Sequence, residues 1–225
     1  MNNKKLELVN VSGGFECELF NYGKMRDTIG HFNYNFSPGI YVLRGEFGMG
    51  GWALTEILCG REKDFSGKIL FEEKAIDWMK LQEISCYVGD VMRIKGHRLF
   101  EKHTIHKQID YAVSKGLAYG KRLDEVKEMF QLSESRFERP LQQCSGERWR
   151  ISMAVGYAFE KKIYCFPWVN SKFLQSLMCL ELCLQNLINT NAIIIIPTTF
   201  TKALDGIVES YSVADISNCC SCKDL

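Results

Sequence analysis

A run of glycines between two apolar segments is the feature of this sequence that most restricts its fold. Residues 45–52 read GEFGMGGW, follow the β-rich apolar run at residues 40–43 and precede apolar residues at helix-like spacing. Gly45, Gly48 and Gly50 fit the frame G-x-x-x-x-G-K-[ST], whose glycines bring backbone N–H groups against phosphates. The pattern therefore predicts a strand, a glycine loop and a helix, in that order.

The side chains that give this frame its chemistry are missing. Gly51 stands where the lysine should be, and Trp52 stands where the Ser or Thr that holds Mg²⁺ should be. An indole N–H only donates, so Trp52 cannot coordinate a cation, and no metal ligand is predicted. An ordinary tight turn between a strand and a helix would use the same glycines, so the loop alone leaves both interpretations open.

Charge and hydropathy exclude several classes of partner. Lys+Arg 28 against Asp+Glu 27 gives a formal charge of +1, which predicts no general attraction to nucleic acid or to an anionic membrane. The longest clear apolar run, residues 192–196, has the length of a strand, so no membrane span is expected. The first residues, MNNKKLEL, do not resemble a secretory signal.

The cysteines suggest a reducing environment. Ten cysteines are scattered through the chain without an export signal, which indicates reduced thiols in the cytosol rather than a disulfide framework. The terminal cluster Cys219, Cys220 and Cys222 leaves two interpretations open. A metal or redox site would need a fourth ligand on a defined scaffold, and the alternative is a solvated tail.

The pattern along the chain predicts an α/β fold in a single domain of residues 1–225. Alternation such as that of Phe32, Tyr34 and Phe36 with polar residues predicts antiparallel strands in the first forty residues. Residues 91–140 are rich in charge at helical spacing, which predicts a helical subdomain. The last third alternates predicted helices and strands, which implies a parallel sheet; these segments are residues 148–159, 163–166, 174–188 and 192–196.

In their order, these segments resemble the ATP-binding cassette subunit of ABC transporters over nearly the whole chain. Residues 143–148 (QCSGER) are similar to the family's LSGGQ signature. Residues 163–166 resemble the Walker B strand, and residues 193–196 resemble the strand before the family's switch histidine. The resemblance implies a P-loop NTPase-like parallel sheet core with an N-terminal antiparallel β subdomain and an inserted helical subdomain.

The departures from the family imply a degenerate cassette. Walker B should end in a Mg²⁺-binding Asp and a catalytic Glu, but residues 166–168 read FPW and no acidic residue occurs at 161–180. Pro197 stands where the switch histidine should be, and Gly89 or Asp90 stands where a glutamine is expected. Phosphoryl transfer depends on lysine, metal and an oriented nucleophile, so hydrolysis at the chain's own loop is not expected and no catalytic residue is assigned.

The element that acts on a partner is partly kept. In this family two cassettes dimerise head to tail, and each ATP lies between the Walker motifs of one subunit and the signature of the other. The resemblance implies weak ATP binding at the chain's own loop without Mg²⁺, or binding only at a site shared with a partner cassette. The residues implied in nucleotide contact are Gly45, Gly48, Gly50, Gly51, Ser145, Gly146 and Glu147. Ser145 and Gly146 could instead merely cap a helix that has Glu147 in its first turn.

The resemblance also implies partners and a location. It predicts a transmembrane permease and an intact cassette as partners, with the chain cytoplasmic and peripheral on the inner face of the membrane. The basic stretch between Arg93 and Lys107 falls where the family's helical subdomain meets the permease, although a solvated face has the same composition. Two hypotheses follow: a non-hydrolysing subunit that donates its signature, or a structural or regulatory subunit that uses no nucleotide. An ATPase with relocated catalytic groups is a third.

Overall fold

The structure of the chain, a computed structural model, describes residues 5–19, 23–94, 99–200, 202 and 204–216. The strands within these ranges are β1 (Leu6–Leu19), β2 (Gly23–Phe36), β3 (Gly39–Arg44), β4 (Phe65–Phe71), β5 (Lys74–Ala75), β6 (Ser85–Tyr87), β7 (Ile163–Cys165), β8 (Ile193–Thr198) and β9 (Ser212–Asp215). The α-helices are α1 (Gly51–Leu58), α2 (Trp78–Ile84), α3 (Ile105–Ser114), α4 (Leu123–Met129), α5 (Glu134–Phe137), α6 (Arg148–Ala158), α7 (Ser171–Ser176) and α8 (Leu180–Ile188).

A parallel sheet forms the centre of the molecule. Its strands lie in the order β6-β7-β8-β3-β9, and each neighbouring pair is parallel. Residues 193–196 of β8 are four consecutive isoleucines without solvent exposure, as expected for a strand covered on both faces. The predicted α/β fold class with a parallel core is confirmed.

An antiparallel sheet with the strand order β2-β1-β4-β5 packs beside this core. The alternation predicted for the first forty residues is confirmed, since Phe32 and Phe36 of β2 are buried. Helix α1 shares one apolar cluster with both sheets: Leu54 and Ile57 pack with residues such as Leu6 of β1 and Leu43 of β3. The same cluster contains Ile29 of β2, so the glycine loop that leads into α1 lies close to that strand.

Helices α3, α4 and α5 fall within the stretch predicted to be helical, residues 91–140. Ile109 of α3, Val126 of α4 and Ile151 of α6 belong to one buried cluster, which ties these helices to the parallel sheet. Three members of the predicted basic stretch, Lys95, His97 and Arg98, lie outside the described residues.

One predicted element is wrong in its continuity. Residues 174–188, expected to form a single helix, belong to two helices, α7 and α8. Between them Leu177 is extended, and Cys179 takes a left-handed conformation with φ of 59°, which residues other than glycine seldom adopt. Because no Gly or Pro marks the break, the sequence gives no local signal for it. None of the helices in the described ranges is long and apolar enough to cross a membrane.

Candidate functional site

The glycine loop joins β3 to α1, and β2 crosses close to its end. Gly50 precedes α1 and has φ of 92°. A Cβ atom at this position would lie 2.5 Å from the carbonyl oxygen of Thr28 and 2.8 Å from the Cβ of Ile29, both on β2. Gly50 is therefore required by its left-handed backbone and by the close approach of the strand.

The position of the missing lysine is closed by packing. A Cβ atom on Gly51 would lie 2.9 Å from the Cβ of Pro197 and 3.0 Å from the Cδ1 of Ile216. A Cβ on Gly45 would lie 2.8 Å from the Cγ1 of Ile216, whereas one on Gly48 would meet no atom within 4 Å. Three of the four glycines are thus backed by the chain's own atoms. Pro197 stands at the position where the resemblance places the switch histidine.

An aromatic cluster of Phe47, Trp52 and Trp168 fills the space beside the loop. The ring centroid of Phe47 lies 5.5 Å from that of Trp52 and 5.3 Å from that of Trp168. The Trp168 Nε1–H donates a hydrogen bond to the Gly45 carbonyl at 3.2 Å, and Phe15 of β1 packs 5.1 Å from Trp52. Trp168 follows β7, where Walker B would place its carboxylates. The residues present therefore do not fit a Mg–nucleotide complex, because indole and phenyl rings supply neither metal ligands nor a counter-charge.

Trp52 also takes part in a partly buried polar network. Its Nε1–H donates to the Tyr87 hydroxyl at 2.8 Å and to Oε1 of Glu56 at 3.1 Å. The Glu56 side chain is 3% exposed, and its Oε2 pairs with Nε of Arg61 at 2.7 Å. A second ion pair links Arg61 to Asp90. No direct sign of Glu56 as a buried residue is present in the sequence; only its place one turn after Trp52 on an apolar helix could have indicated it.

Asp90, one of the two residues that stand where the resemblance places a glutamine, is bound by two arginines. Burial alone would raise the pKa of its carboxyl, but the Val91 N–H and the guanidinium groups of Arg61 and Arg148 outweigh burial and lower it. Arg148 begins α6, and its NH2 lies 3.4 Å from Oδ1 of Asp90. Asp90 therefore connects the polar network of α1 to the helix that follows the signature segment.

The backbone at the start of α1 is occupied by a carboxylate that the sequence analysis missed. Oδ1 of Asp27 accepts a hydrogen bond from the Gly50 N–H, and Oδ2 accepts one from the Ala53 N–H, each at 2.7 Å. Burial raises the pKa of Asp27, although N–H donation from Ala53, Gly50 and Trp52 opposes the increase. The available signal was its register: Asp27 shares a face of β2 with Ile29, so it stands at an inward-facing position.

The signature segment forms a turn of 3₁₀ helix, residues 145–147, directly before α6. Ser145 and Gly146 are exposed, and a Cβ on Gly146 would meet no atom within 4 Å. Glu147 points back into the chain: its Oε1 accepts from the Ser133 hydroxyl at 2.6 Å, and its Oε2 pairs with Arg150 at 2.8 Å. Burial would raise the pKa of Glu147, but Ser133 and Arg150 outweigh it and lower the pKa.

The described residues offer no arrangement typical of a metal site. Within the described ranges, no group of three or more His, Cys, Asp or Glu side chains could hold a metal ion. The cluster Cys219, Cys220 and Cys222 lies outside the described residues. Cys59, Cys86 and other described cysteines are free thiols, most of them buried.

A cavity of about 500 Å³ adjoins the polar network that contains the Arg61–Asp90 pair. Its lining is strongly charged and includes both members of that pair, Arg93 from the predicted basic stretch, and Lys161. Burial lowers the pKa of Lys161, whose Nζ donates to the Gln82 carbonyl at 3.1 Å.

Comparison with known proteins gives partial sequence matches. No family model matches the chain. It is 33% identical over 89 residues to a putative ABC transporter ATP-binding protein of Clostridium perfringens (strain 13 / Type A), a match that covers 39% of this chain and 14% of that protein. It is 30% identical over 125 residues to a probable sulfate/thiosulfate import ATP-binding protein, CysA, of Chlorella vulgaris, covering 54% of this chain and 51% of that protein. The chain thus spans about half of one relative's length and less of the other's.

Solved structures match nearly the whole chain. A putative ABC transporter ATP-binding protein from Pyrococcus furiosus superposes with a TM-score of 0.62 at 12% identity, covering 95% of this chain and 98% of that one. The structure of cbiO1 from Clostridium perfringens, part of the ABC transporter complex cbiONQ, gives a TM-score of 0.60 at 16% identity, covering 96% and 86%. The chain therefore has the fold of the ATP-binding cassettes of ABC transporters.

Proposed function

We propose that this chain is an ATP-binding cassette subunit that does not hydrolyse ATP at its own loop. In this proposal it pairs with a permease and with an intact cassette, to which it donates the signature segment at residues 145–147. The observation that carries the proposal is the aromatic cluster Phe47, Trp52 and Trp168, which stands where a functional loop needs a hydroxyl and carboxylates. It agrees with the partial matches to ATP-binding proteins of ABC transporters.

Energetics support the absence of hydrolysis at the chain's own loop. Phosphoryl transfer relies on positioning and on charge stabilisation by a lysine, a metal ion and an oriented nucleophile. Each lost charge-assisted contact costs about 1.5–3 kcal/mol, and the lysine, the metal ligands, the base and the histidine are all absent. With Pro197 and Ile216 packed against Gly51, no side chain at position 51 can replace the lysine without displacing them.

The first experiment measures ATP turnover and MgATP binding by the purified chain. We expect no Mg-dependent ATPase activity above background and no sub-micromolar dissociation constant, which would correspond to about −8 kcal/mol. The control variants are Glu160→Gln and Glu181→Gln, the acidic residues nearest in sequence to the Walker B position. Glu160 accepts the Tyr119 N–H at 2.9 Å, and Glu181 is exposed on α8. Turnover that either substitution abolishes would identify a relocated catalytic base and contradict the proposal.

Donation of the signature is supported by its exposure. Ser145 and Gly146 face solvent before α6, whereas Gly45, Gly50 and Gly51 of the loop lie against other atoms of the chain. In such a pair the intact cassette supplies lysine, base and histidine, and this chain supplies the Ser145 hydroxyl and the Gly146 N–H. ATP is then bound at the shared site, and Mg²⁺ is held by the partner's residues.

The second experiment uses a complex reconstituted with an intact cassette and its permease. Ser145→Arg should lower the ATPase rate of the complex tenfold or more, about 1.4 kcal/mol on the barrier, without dissociating it. Gly146→Asp is the companion variant, because it adds volume and negative charge where Gly146 now has open space. Ser114→Arg, at an exposed position on α3, is the matched control and should leave the rate unchanged.

The alternative function is a structural or regulatory subunit of a membrane complex that uses no nucleotide. The bonds of Glu147 to Ser133 and Arg150 favour this alternative, because they hold part of the signature inside the chain. If Ser145→Arg and Gly146→Asp both assemble and hydrolyse ATP at the unmutated rate, the signature is vestigial and the alternative is correct.

Contact with a permease would place the chain at the cytoplasmic face of the membrane. The surface that we assign to this contact contains Arg93 at the charged cavity and the exposed residues Lys102, His103 and Lys107. The solved structure of cbiO1 belongs to a subunit of the transporter complex cbiONQ, which supports a permease as partner. Charge reversal at Arg93 and Lys107 should then weaken co-purification with the permease but leave pairing with the cassette intact.

A further inference from the structure

The first backbone N–H groups of α1 are satisfied by a side chain from another sheet. The first N–H groups of a helix have no partner within the helix and carry its positive dipole end, so they attract an anion. Here the anion is Asp27: its two oxygens accept from Gly50 and Ala53 at 2.7 Å each. Because both carboxyl oxygens act as acceptors, the geometry is that of an ionised carboxylate.

The position of Asp27 in the antiparallel sheet directs its carboxylate to the start of α1. It comes from β2, is 2% exposed, and stands opposite Phe15 in the register of the antiparallel sheet. In the part of the chain that the structure describes, no basic side chain forms a salt bridge with Asp27. A buried carboxylate without a cation needs strong hydrogen-bond donors, and the start of α1 supplies them.

We propose that Asp27 is a built-in anion that occupies the N–H groups which a phosphate loop directs at its ligand. The carboxylate closes the loop to phosphate and fastens it to the antiparallel sheet. This inference rests on the proposed function, in which the loop at residues 45–52 is a degenerate phosphate loop. The inference adds that a carboxylate of the chain itself already binds the N–H groups of the loop. The absence of the lysine and the hydroxyl is then only part of the reason why the loop would bind no phosphate.

The close approach of β2 supports the proposal independently of the hydrogen bonds. The carbonyl of Thr28, the residue after Asp27, would lie 2.5 Å from a Cβ on Gly50. The strand thus lies directly against the end of the loop, and the carboxylate is brought there by the backbone rather than by a long flexible side chain. An aspartate has few rotamers to lose, so its contact costs little conformational entropy.

The test compares Asp27→Asn with the unmodified chain. Asparagine keeps the volume but presents an NH₂ group to one of the two N–H donors, so that one donor loses its acceptor. We expect the hydrogen exchange of one of the two amides, Gly50 or Ala53, to become at least tenfold faster, with the amides of β8 unchanged. Asp110→Asn, at an exposed position on α3, is the matched control and should change neither set.

A second measurement does not depend on the stability of one variant. Asp27→Ala leaves both N–H donors free, so formate should raise its unfolding temperature and slow exchange of the Gly50 and Ala53 amides relative to sodium chloride at equal ionic strength. Inorganic tripolyphosphate should bind the Asp27→Ala chain at least tenfold more tightly than the unmodified chain. Unchanged amide exchange in Asp27→Asn, or equal tripolyphosphate binding by both chains, would overturn the inference.

The two proposals fail in different ways. If the unmodified chain binds MgATP below micromolar concentration, the proposed function and the inference both fail. Suppose instead that the unmodified chain binds no nucleotide, and that Asp27→Asn matches it in amide hydrogen exchange and Asp27→Ala matches it in tripolyphosphate binding. Then only the role of Asp27 is refuted.

Discussion

A lysine introduced at position 51 is expected to destabilise the protein and not to give the loop tight MgATP binding. Gly51→Lys places a Cβ atom 2.9 Å from the Cβ of Pro197 and 3.0 Å from the Cδ1 of Ile216. Carbon atoms pack best at about 3.5–4.0 Å, so these neighbours must move by at least half an ångström. Both lie on segments fixed by the sheet: Pro197 belongs to β8, and Ile216 follows β9.

The size of the effect follows from two opposing terms. Overpacking of a well-filled interior costs about 1–3 kcal/mol. Replacing glycine in a helix returns up to about 1 kcal/mol, less at the first helical position. We therefore expect Gly51→Ala, which tests the Cβ alone, to lose about 1–2 kcal/mol of unfolding free energy. For a chain of this size that loss lowers the unfolding temperature by about 2–8 °C. Gly51→Lys should lose at least as much.

The assay is urea and thermal unfolding followed by circular dichroism, combined with calorimetric titration of MgATP. Gly146→Ala is the matched control, because a Cβ there meets no atom within 4 Å; its stability should stay within about 0.5 kcal/mol of the parent. A Gly51→Ala chain as stable as the parent would refute the packing argument. Sub-micromolar MgATP binding by Gly51→Lys would refute the view that the loop is closed.

Three further predictions concern the surroundings of the loop. Trp168→Ala should lower the unfolding free energy by about 1–3 kcal/mol, since it removes a half-buried ring from the aromatic cluster; urea titration measures this, and no loss would contradict the packing. The pKa of Asp90 is lowered in the folded protein, so its ionised carboxylate stabilises the fold above the unfolded pKa of about 3.9, and this stabilisation is lost as pH falls through the folded pKa. Asp90→Asn should therefore reduce the loss of unfolding free energy on acidification, and an unchanged loss would contradict the argument. Lys161→Met should cost about 1–3 kcal/mol in urea, because the carbonyls of Gln82 and Glu83 lose a charged donor, and a neutral result would show that water replaces it.

The sequence was sufficient for features carried by local pattern. The isoleucines of β8 and the alternation of Phe32 and Phe36 specify strands through their burial periodicity, and the glycine frame specifies the turn into α1. These signals predicted the fold class correctly, because each lies within a few neighbouring residues.

The features that decide the state of the loop arise from distant segments. Trp168 meets Phe47, and Asp27 meets Gly50, only after β7 and β2 have taken their places in different sheets. A sequence pattern records that a lysine is absent, but it does not record that Pro197 has taken the space that the lysine would need. The departure of residues 51 and 52 from the phosphate-loop frame could therefore be read from the sequence, whereas the packing of Pro197 and Ile216 against Gly51 could not.

The packing against Gly51 also has a consequence for how such a protein can evolve. A lineage that acquired a lysine at position 51 alone would carry a less stable protein, because Pro197 in β8 and Ile216 after β9 must become smaller first. Those changes in turn would leave a cavity while the glycine remained. Natural proteins are only slightly more stable than their function requires. Each of these substitutions alone would therefore lower the free energy of unfolding at a cost that selection can oppose. The packing that stabilises this core therefore also disfavours a lysine at position 51.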